Sequence, residues 1–278
     1  MFEQIGGRRK RKCALIGVVH VPALPGADSY GFNMSQVLER SLHNAHIYKE
    51  CGVDALIIEN MHDVPYLRGA VPPETVAAMT VVGQAIKSAT NLPLGVQILA
   101  GANIEALAVA VALELDFIRV EGFVFAHIGD EGFHQANAPD LVRRRAQLTV
   151  GATAKKTVRI FADIKKKHSS HAITADIDLA ETAHTAEFFK ADGVIVTGLR
   201  TAAAPLPAEV QEVAAAVKIP TLVGSGISAE NVHEFAAHAD GLIVGSYAKK
   251  DGHWANDCDS KRLERLVKAL DASLESRS

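Results

Sequence analysis

The stretch TLVGSGISAENVHEFAAHADGLIVGSYAKK, residues 221–250, decides the fold. It predicts two successive strands, each followed by a turn that contains glycine and serine: Thr221–Val223 with Gly224, Ser225 and Gly226, then a helix capped by Ser228, then Gly241–Val244 with Gly245 and Ser246. Two strands of this kind on either side of one helix indicate a parallel βαβ unit.

The two turns predict a phosphate-binding site formed by Gly224, Ser225, Gly226, Gly245 and Ser246. Backbone N–H groups and two hydroxyls would lie at neighbouring points on one edge of a parallel sheet, an arrangement that suits phosphate. In (β/α)8 barrels, phosphate is commonly held after the last two strands. The alternative is that these glycines only permit tight turns and close helix packing.

The rest of the chain alternates short apolar runs with amphipathic segments, without a composition break. Eight strands are predicted: Cys13–His20, Asp54–Glu59, Leu94–Leu99, Phe117–Val120, Val158–Asp163, Gly193–Thr197, Thr221–Val223 and Gly241–Val244. Eight helices are predicted between and after them: Ser35–Cys51, Glu74–Thr90, Asn103–Leu115, Pro139–Ala152, Asp178–Lys190, Pro207–Val217, Ala229–His238 and Ser260–Leu274. This order predicts an α/β protein with a single (β/α)8 TIM barrel of eight parallel strands.

Length and composition agree with one large domain. The chain has 278 residues, 48% of them hydrophobic and 22% charged, and a (β/α)8 barrel takes ~250 residues. The first twelve residues of the chain end in five consecutive basic residues, Arg8–Lys12. We expect residues 1–12 to form a basic flexible N-terminus, with a nuclear address or an anion-binding arm as alternatives, and residues 13–278 to form the barrel domain.

Charge and cysteine content exclude several classes of protein. A net charge of −3 argues against nucleic acid or an anionic membrane as the main partner. No apolar stretch approaches the ~20 residues that span a bilayer. The three cysteines, Cys13, Cys51 and Cys258, are far apart and lack CxxC spacing, which is typical of reduced thiols. We therefore expect a cytoplasmic protein, and the apolar helices permit a homo-oligomer.

Candidate catalytic residues stand where strands end, since the long loops follow the strands and place the functional face at their carboxyl ends. His20, Glu59, Arg119 and Asp163 occupy such positions. Partial burial of Glu59 and Asp163 would raise their pKa toward the range of a general acid or base. The alternative is a salt bridge, for instance between Glu59 and Arg119, that holds the mouth together.

The run Lys165–His168 follows Asp163 closely. In an extended chain, Lys165 and Lys167 would lie on the side of Asp163, whereas Lys166 and His168 would lie opposite. His168 is a candidate proton shuttle, with a hydrogen-bonded loop histidine as the alternative. His20, Glu59, Asp163 and His168 are of metal-ligand type, but no HxH or HExxH spacing supports a metal site. We predict neither a metal nor a cofactor.

The chain resembles the BtpA/SgcQ family over nearly its whole length. The matching segments are IGVVHVPALPG (16–26), GVDALIIENMHDVPY (52–66), PETVAAMT (73–80), DFIRVEGF (116–123), DGVIVTG (192–198), LVGSGISAENV (222–232) and DGLIVGSYAKKDGHWAN (240–256). The resemblance implies a TIM barrel. One branch of the family is associated with photosystem I accumulation and another with bacterial sugar-uptake genes. Glu121, Gly129–Gly132 and Lys165–Ser169 depart from the commoner pattern of the family.

Two functions from different classes follow. The first is an enzyme acting on a small phosphorylated metabolite, a sugar phosphate or nucleoside-derived phosphate, by isomerase-, epimerase- or lyase-like acid–base chemistry. Glu59 and Asp163 would exchange protons, and His20, Arg119 and His168 would orient or polarise the reacting oxygen. The second is a non-catalytic assembly factor for a photosystem I-type complex, as the resemblance implies. The polar strand ends and both Gly-Ser turns favour the enzyme, because a scaffold needs neither.

Overall fold

A computed structural model describes residues 11–149, 157–198 and 200–276. Eight parallel strands close into a barrel in the order β1-β11-β10-β9-β7-β4-β3-β2. Their bounds are β1 Ala14–His20, β2 Ala55–Glu59, β3 Leu94–Gln97, β4 Phe117–Val120, β7 Arg159–Ile164, β9 Gly193–Val196, β10 Thr221–Val223 and β11 Gly241–Val244. The predicted TIM barrel and its eight strands are confirmed.

Helices between these strands cover the outside of the barrel. They are α1 Met34–Cys51, α2 Pro73–Thr90, α3 Asn103–Ala112, α4 Ala138–Thr149, α5 Leu179–Phe188, α6 Pro207–Ala216, α7 Val232–Phe235 and α8 Ser260–Glu275. Their apolar faces and the outward-facing strand residues form one large buried cluster. Each strand is buried along most or all of its length, as expected for a sheet packed on both faces.

The helix before the last strand is shorter than predicted. The sequence predicts a helix over Ala229–His238 with Ser228 as its cap, whereas α7 begins only at Val232. The preceding residues form a turn held by side chains: Asn231 Oδ1 accepts from the Ser228 N–H, and Ser228 Oγ accepts from the Glu230 N–H. Such local bonds compete with helical hydrogen bonding.

A small second sheet lies in the loops that follow β4 and β7. Its three antiparallel strands, in the order β6-β5-β8, are β5 His127–Gly129, β6 Gly132–His134 and β8 Ser169–Ser170. The long loops that follow β4 and β7 are therefore joined to each other by backbone hydrogen bonds. This sheet was not predicted from the sequence.

The basic N-terminal run is described only at its end, since residues 1–10 lie outside the described residues. Arg11 donates hydrogen bonds to Asp54 at 2.8 Å and to Asp271 at 2.7 Å. It also donates to the carbonyl of Gly52, at the end of α1. Arg11 thus ties the start of β1 to α1 and α8 at the end of the barrel opposite the strand carboxyl ends.

Candidate functional site

The interior of the barrel is filled by an apolar layer with a polar layer above it. The apolar layer contains Ile16, Val18, Ala55, Ile57, Phe117, Phe161, Ile195, Leu222 and Ile243. Side chains in a strand alternate between faces, so the residue two positions beyond the last apolar one also points inward. That step reaches His20, Glu59, Arg119, Asp163, Thr197, Gly224 and Gly245. The candidates predicted from strand ends therefore belong to one ring at the barrel mouth.

Arg119 is the centre of this ring. Its Nε and Nη2 donate to the two carboxylate oxygens of Asp163 at 3.1 and 3.0 Å, and its Nη1 donates to Glu59 at 3.2 Å. All three side chains are at least nine-tenths buried. The salt bridge between Glu59 and Arg119, one of the two interpretations of these residues, is present. Arg119 therefore compensates two buried carboxylates.

Glu59 keeps a pKa above its ordinary value in spite of this bond. Burial raises the pKa of the carboxyl, and the positive charges of Arg119 and Lys167 only partly oppose that effect. Lys167 also lines the pocket beside Glu59 and Arg119. Burial and the positive charge of Arg119 lower the pKa of the Lys167 ammonium. Both groups are thus shifted toward neutrality, as buried acids and bases are.

His20 is held in one tautomer at the end of β1. Its Nδ1 lies 2.7 Å from the carbonyl oxygen of Trp254, so Nδ1 carries the proton and donates it. Burial, with Lys249 nearby, lowers the pKa of this imidazole well below its ordinary value. Nε2 faces Gly245, where an added Cβ would lie 2.9 Å away. The ring therefore presents an unprotonated acceptor to the mouth.

The two glycine turns line one pocket together with these groups. The predicted phosphate residues Gly224, Ser225, Gly226, Gly245 and Ser246 all line a cavity of about 190 Å³, which His20, Glu59, Arg119 and Lys167 also line. A short 3₁₀ turn begins at Ser246, and its first internal bond is donated by the Ala248 N–H. The N–H groups of Ser246 and Tyr247 have no acceptor within that turn.

The two serines of the turns differ in what their hydroxyls do. Ser225 Oγ donates to the Ala203 carbonyl at 2.8 Å and accepts from the Gly198 N–H at 3.0 Å, so it fixes the loop after β9. Gly226, at φ +70°, packs so closely on that loop that an added Cβ would lie 2.0 Å from the Ala204 nitrogen. Ser246 carries no such bond among the described residues, so its hydroxyl is available in the pocket.

Two cations at this pocket were not among the predicted site residues. Arg262, from α8, donates through Nε to the Tyr247 carbonyl at 2.8 Å and stacks on the Tyr247 ring. Its Nη2 would lie 3.2 Å from a Cβ added at Gly252, and the residue lines the pocket. Lys167 is the second cation. Arg262 lies on α8, 16 residues beyond Ser246, the nearest of the predicted phosphate residues, and no local motif marks it.

The loop after β7 places His168 away from the buried ring. The chain is not extended here, because Lys165 and His168 both have positive φ, +47° and +54°, so the predicted alternation does not apply. Lys165 bonds to the Ile177 carbonyl and Lys166 to Glu121. His168 is exposed, and its Nε2 accepts from the Thr201 N–H at 3.0 Å. It borders a second pocket rather than the glycine turns.

No group of three or more His, Cys, Asp or Glu side chains is placed to hold a metal ion within residues 11–149, 157–198 and 200–276. In the same part of the chain, no helix combines the length and the apolar character needed to cross a membrane.

Comparison with known proteins identifies the family. The profile of the BtpA family matches residues 11–272. The chain belongs to the BtpA family. A Caenorhabditis elegans protein described as uncharacterized and mitochondrial is 45% identical over 259 residues, covering 91% of each chain. Photosystem I biogenesis protein BtpA of Synechocystis is 31% identical over 264 residues, 95% of this chain and 90% of that protein.

Solved structures of low sequence identity share the barrel. Thiamine phosphate pyrophosphorylase from Pyrococcus furiosus superposes with a TM-score of 0.58 at 14% identity, over 95% of this chain and 98% of that one. Orotidine 5'-monophosphate decarboxylase from Methanocaldococcus jannaschii gives 0.58 at 13% identity, over 94% of this chain and 100% of that one. At such identity the likeness shows the fold, so the BtpA-family chain is a TIM barrel.

Proposed function

We propose that this BtpA-family barrel is an enzyme acting on a small phosphorylated metabolite, a sugar phosphate or nucleoside-derived phosphate. The observation that carries the proposal is that one pocket is lined by both Gly-Ser turns and by Glu59 and His20. A phosphate site next to an ionisable pair is what isomerases, epimerases and lyases of this substrate class require, because the phosphate anchors the molecule while protons move.

The phosphoryl group would occupy the turn end of the pocket. There it would meet the N–H groups of Ser246 and Tyr247, the Ser246 hydroxyl and the guanidinium of Arg262. Lys167 lies toward the Glu59 side and adds a second positive charge. Backbone N–H groups and cations together form a complement to a phosphate dianion. The names of both solved structures above contain a phosphorylated compound, which agrees with this proposal without carrying it.

Proton transfer would fall to Glu59 and His20. The two residues are direct neighbours in register on β2 and β1. A carboxyl with a raised pKa can donate a proton, and the unprotonated Nε2 of His20 is free to accept one, although burial lowers the pKa of this imidazole and makes it a weak base. Asp163 lies behind Arg119 with its side chain 1% exposed. We assign Asp163 to holding Arg119, and Arg119 to polarising the reacting oxygen.

The remaining predictions about partners stay proposals. We propose a cytoplasmic protein that binds no nucleic acid and needs no metal or cofactor, and that can form a homo-oligomer. His168, exposed at the rim, would contact the ligand from the loop after β7.

Thermal unfolding with inorganic phosphate, ribose 5-phosphate and a panel of sugar phosphates tests the proposal. Ligand at 100 times its dissociation constant adds ~2.7 kcal/mol to stability. We expect a shift for wild type that Ser246→Asp abolishes, since the carboxylate repels phosphate in the pocket. Ser88→Asp, on an exposed site of α2, is the matched control and should keep the shift. A shift that survives in Ser246→Asp, or no shift with any ester, refutes the site.

The alternative function is that of a non-catalytic assembly factor for a photosystem I-type complex, and the name of the Synechocystis relative favours it. Complementation of a strain that lacks the chain separates the two functions. Glu59→Gln keeps shape and hydrogen bonding but cannot exchange a proton in the same way. An enzyme loses function with this variant at normal protein level, whereas an assembly factor keeps it.

A further inference from the structure

A second pocket adjoins the first across the Arg119 ring. Its volume is about 210 Å³, and it shares Glu59, Met61, Arg119, Lys167 and Thr201 with the glycine-turn pocket. One ligand can therefore reach both. Its outer wall is apolar and partly aromatic, formed by Met61, Val64, Tyr66, Leu99 and Trp254. We call it the apolar chamber.

Several charged groups around the apolar chamber bond to one another. Lys166 Nζ lies 3.2 Å from a Glu121 oxygen and 3.5 Å from a Glu131 oxygen. That same Glu131 oxygen lies 3.2 Å from His134 Nε2. Tyr66 turns its hydroxyl away to the Met61 carbonyl, at 2.8 Å. These groups need no partner from a ligand.

Gln97 differs from these bonded groups. It ends β3 in register with Glu59, lines the chamber, and is only 2% exposed. Its Oε1 is buried without a hydrogen-bond partner among the described residues. A buried amide oxygen without a partner lowers the stability of the fold, because it loses its hydrogen bond to water and forms none within the protein. A primary amide at the base of a binding chamber is a ready partner for a group that both donates and accepts.

We infer that the apolar chamber holds a planar nitrogen heterocycle with an N–H beside a carbonyl, and that the ligand is a nucleoside monophosphate or a close relative. The inference rests on the proposed function, because the phosphate end of the ligand lies in the glycine-turn pocket. A lactam edge complements the Gln97 amide in either orientation of that amide. The ring faces would lie against Tyr66, Met61 and Leu99.

A sugar phosphate alone fits this chamber poorly. Its hydroxyls would lie against apolar side chains, and each hydroxyl that loses water without gaining a bond lowers affinity. The polar groups that line the two pockets also fit the longer ligand, with Arg262, Lys167 and the turn N–H groups for phosphate at one end and the Gln97 amide at the other.

Calorimetric titration of the full chain with uridine 5'-monophosphate, inosine 5'-monophosphate and ribose 5-phosphate tests the inference. At least one nucleotide should bind about tenfold more tightly than ribose 5-phosphate, from ring contact and one amide pairing. Gln97→Met, of similar volume, should remove most of that advantage and leave ribose 5-phosphate binding unchanged. Gln84→Met, on an exposed site of α2, is the matched control and should behave as wild type.

The outcomes separate this inference from the proposed function. Binding of ribose 5-phosphate with no gain from either base overturns the inference and leaves the phosphate site standing. An equal nucleotide advantage in wild type and Gln97→Met also overturns it. Failure of all three compounds to bind overturns the inference, and it overturns the proposed function as well when the sugar phosphate panel also gives no shift.

Discussion

Replacing Arg119 by methionine tests the electrostatic core of the mouth. Arg119 pairs with Glu59 and Asp163, and both carboxylates are nearly inaccessible to water. Removing one partner of a buried ion pair costs about 3–5 kcal/mol because the other charge is left uncompensated. For a chain of this size, each kcal/mol corresponds to roughly 2–4 °C in melting temperature, so we expect a fall of roughly 6–20 °C.

The loss should shrink on acidification. Burial raises the pKa of Glu59 even with Arg119 present, and removing that positive charge raises it further. A carboxyl whose folded pKa exceeds its unfolded value binds its proton more tightly in the folded state, so stability rises as pH falls through the folded pKa. Differential scanning fluorimetry at about pH 5 and about pH 8 measures the change, since carboxyl linkage acts in this range.

The control for this experiment is Arg144→Met, on an exposed site of α4, which should melt like wild type at both pH values. A deficit below about 1 kcal/mol for Arg119→Met would be typical of a surface ion pair and refutes the description of Arg119 as the compensator of buried charge. A deficit equal at both pH values refutes the linkage to the buried carboxylates.

Two further variants test the packing of the mouth and the buried lysine. Gly245→Ala places a Cβ 2.9 Å from His20 Nε2 and should lower the free energy of unfolding by about 1–3 kcal/mol, measured by denaturant melts. Gly241→Ala is the control, because its Cβ meets only ordinary contacts at 3.4 Å and beyond, and it should lower stability less. Lys249→Met removes a fully buried ammonium whose pKa burial lowers. This variant should match or exceed wild type in melting temperature. The gain should be largest at low pH and should shrink as pH rises through the lowered folded pKa of Lys249. A lower melting temperature at every pH would show that the lysine stabilises the fold.

The strand ends could be predicted because a buried parallel strand leaves a strong local signal. The runs ALIGVVH and ALIIE are apolar until the final residue, so His20 and Glu59 stand out as polar residues that still belong to a strand. Two-residue alternation then places them in the mouth, whatever the loops do. Loop conformation does not enter this inference.

The pairing of these residues could not be predicted in the same way. Arg119 and Asp163 are 44 residues apart, and the sequence offers Arg119 more than one carboxylate. The stagger of neighbouring strands decides which carboxylate forms two hydrogen bonds with Arg119. This stagger is a property of the closed barrel. For that reason the salt bridge and the acid–base role of Glu59 stood as alternatives, although one geometry accommodates both.

The loop after β7 shows where local inference fails. Alternation assigns sides to Lys165–His168 only in an extended chain, but positive φ at Lys165 and His168 reverses direction twice within four residues. The small antiparallel sheet with β5 imposes this path. Long-range pairing therefore decided that Lys166 joins Glu121 and that Lys167, not His168, lies beside Glu59.

Titration of the intact chain with inorganic phosphate and with the sugar phosphate and nucleotide panel, comparing wild type, Lys167→Met and Lys268→Met, tests the central claim most directly. Lys167 lines the pocket, and Lys268 is exposed on α8. We predict that wild type and Lys268→Met bind at least one phosphate ester alike, and that Lys167→Met binds it about tenfold more weakly, as expected for loss of one charge-assisted contact. No binding of any ester contradicts a phosphate-binding enzyme, and equal affinity in all three proteins contradicts the placement of the ester beside Lys167.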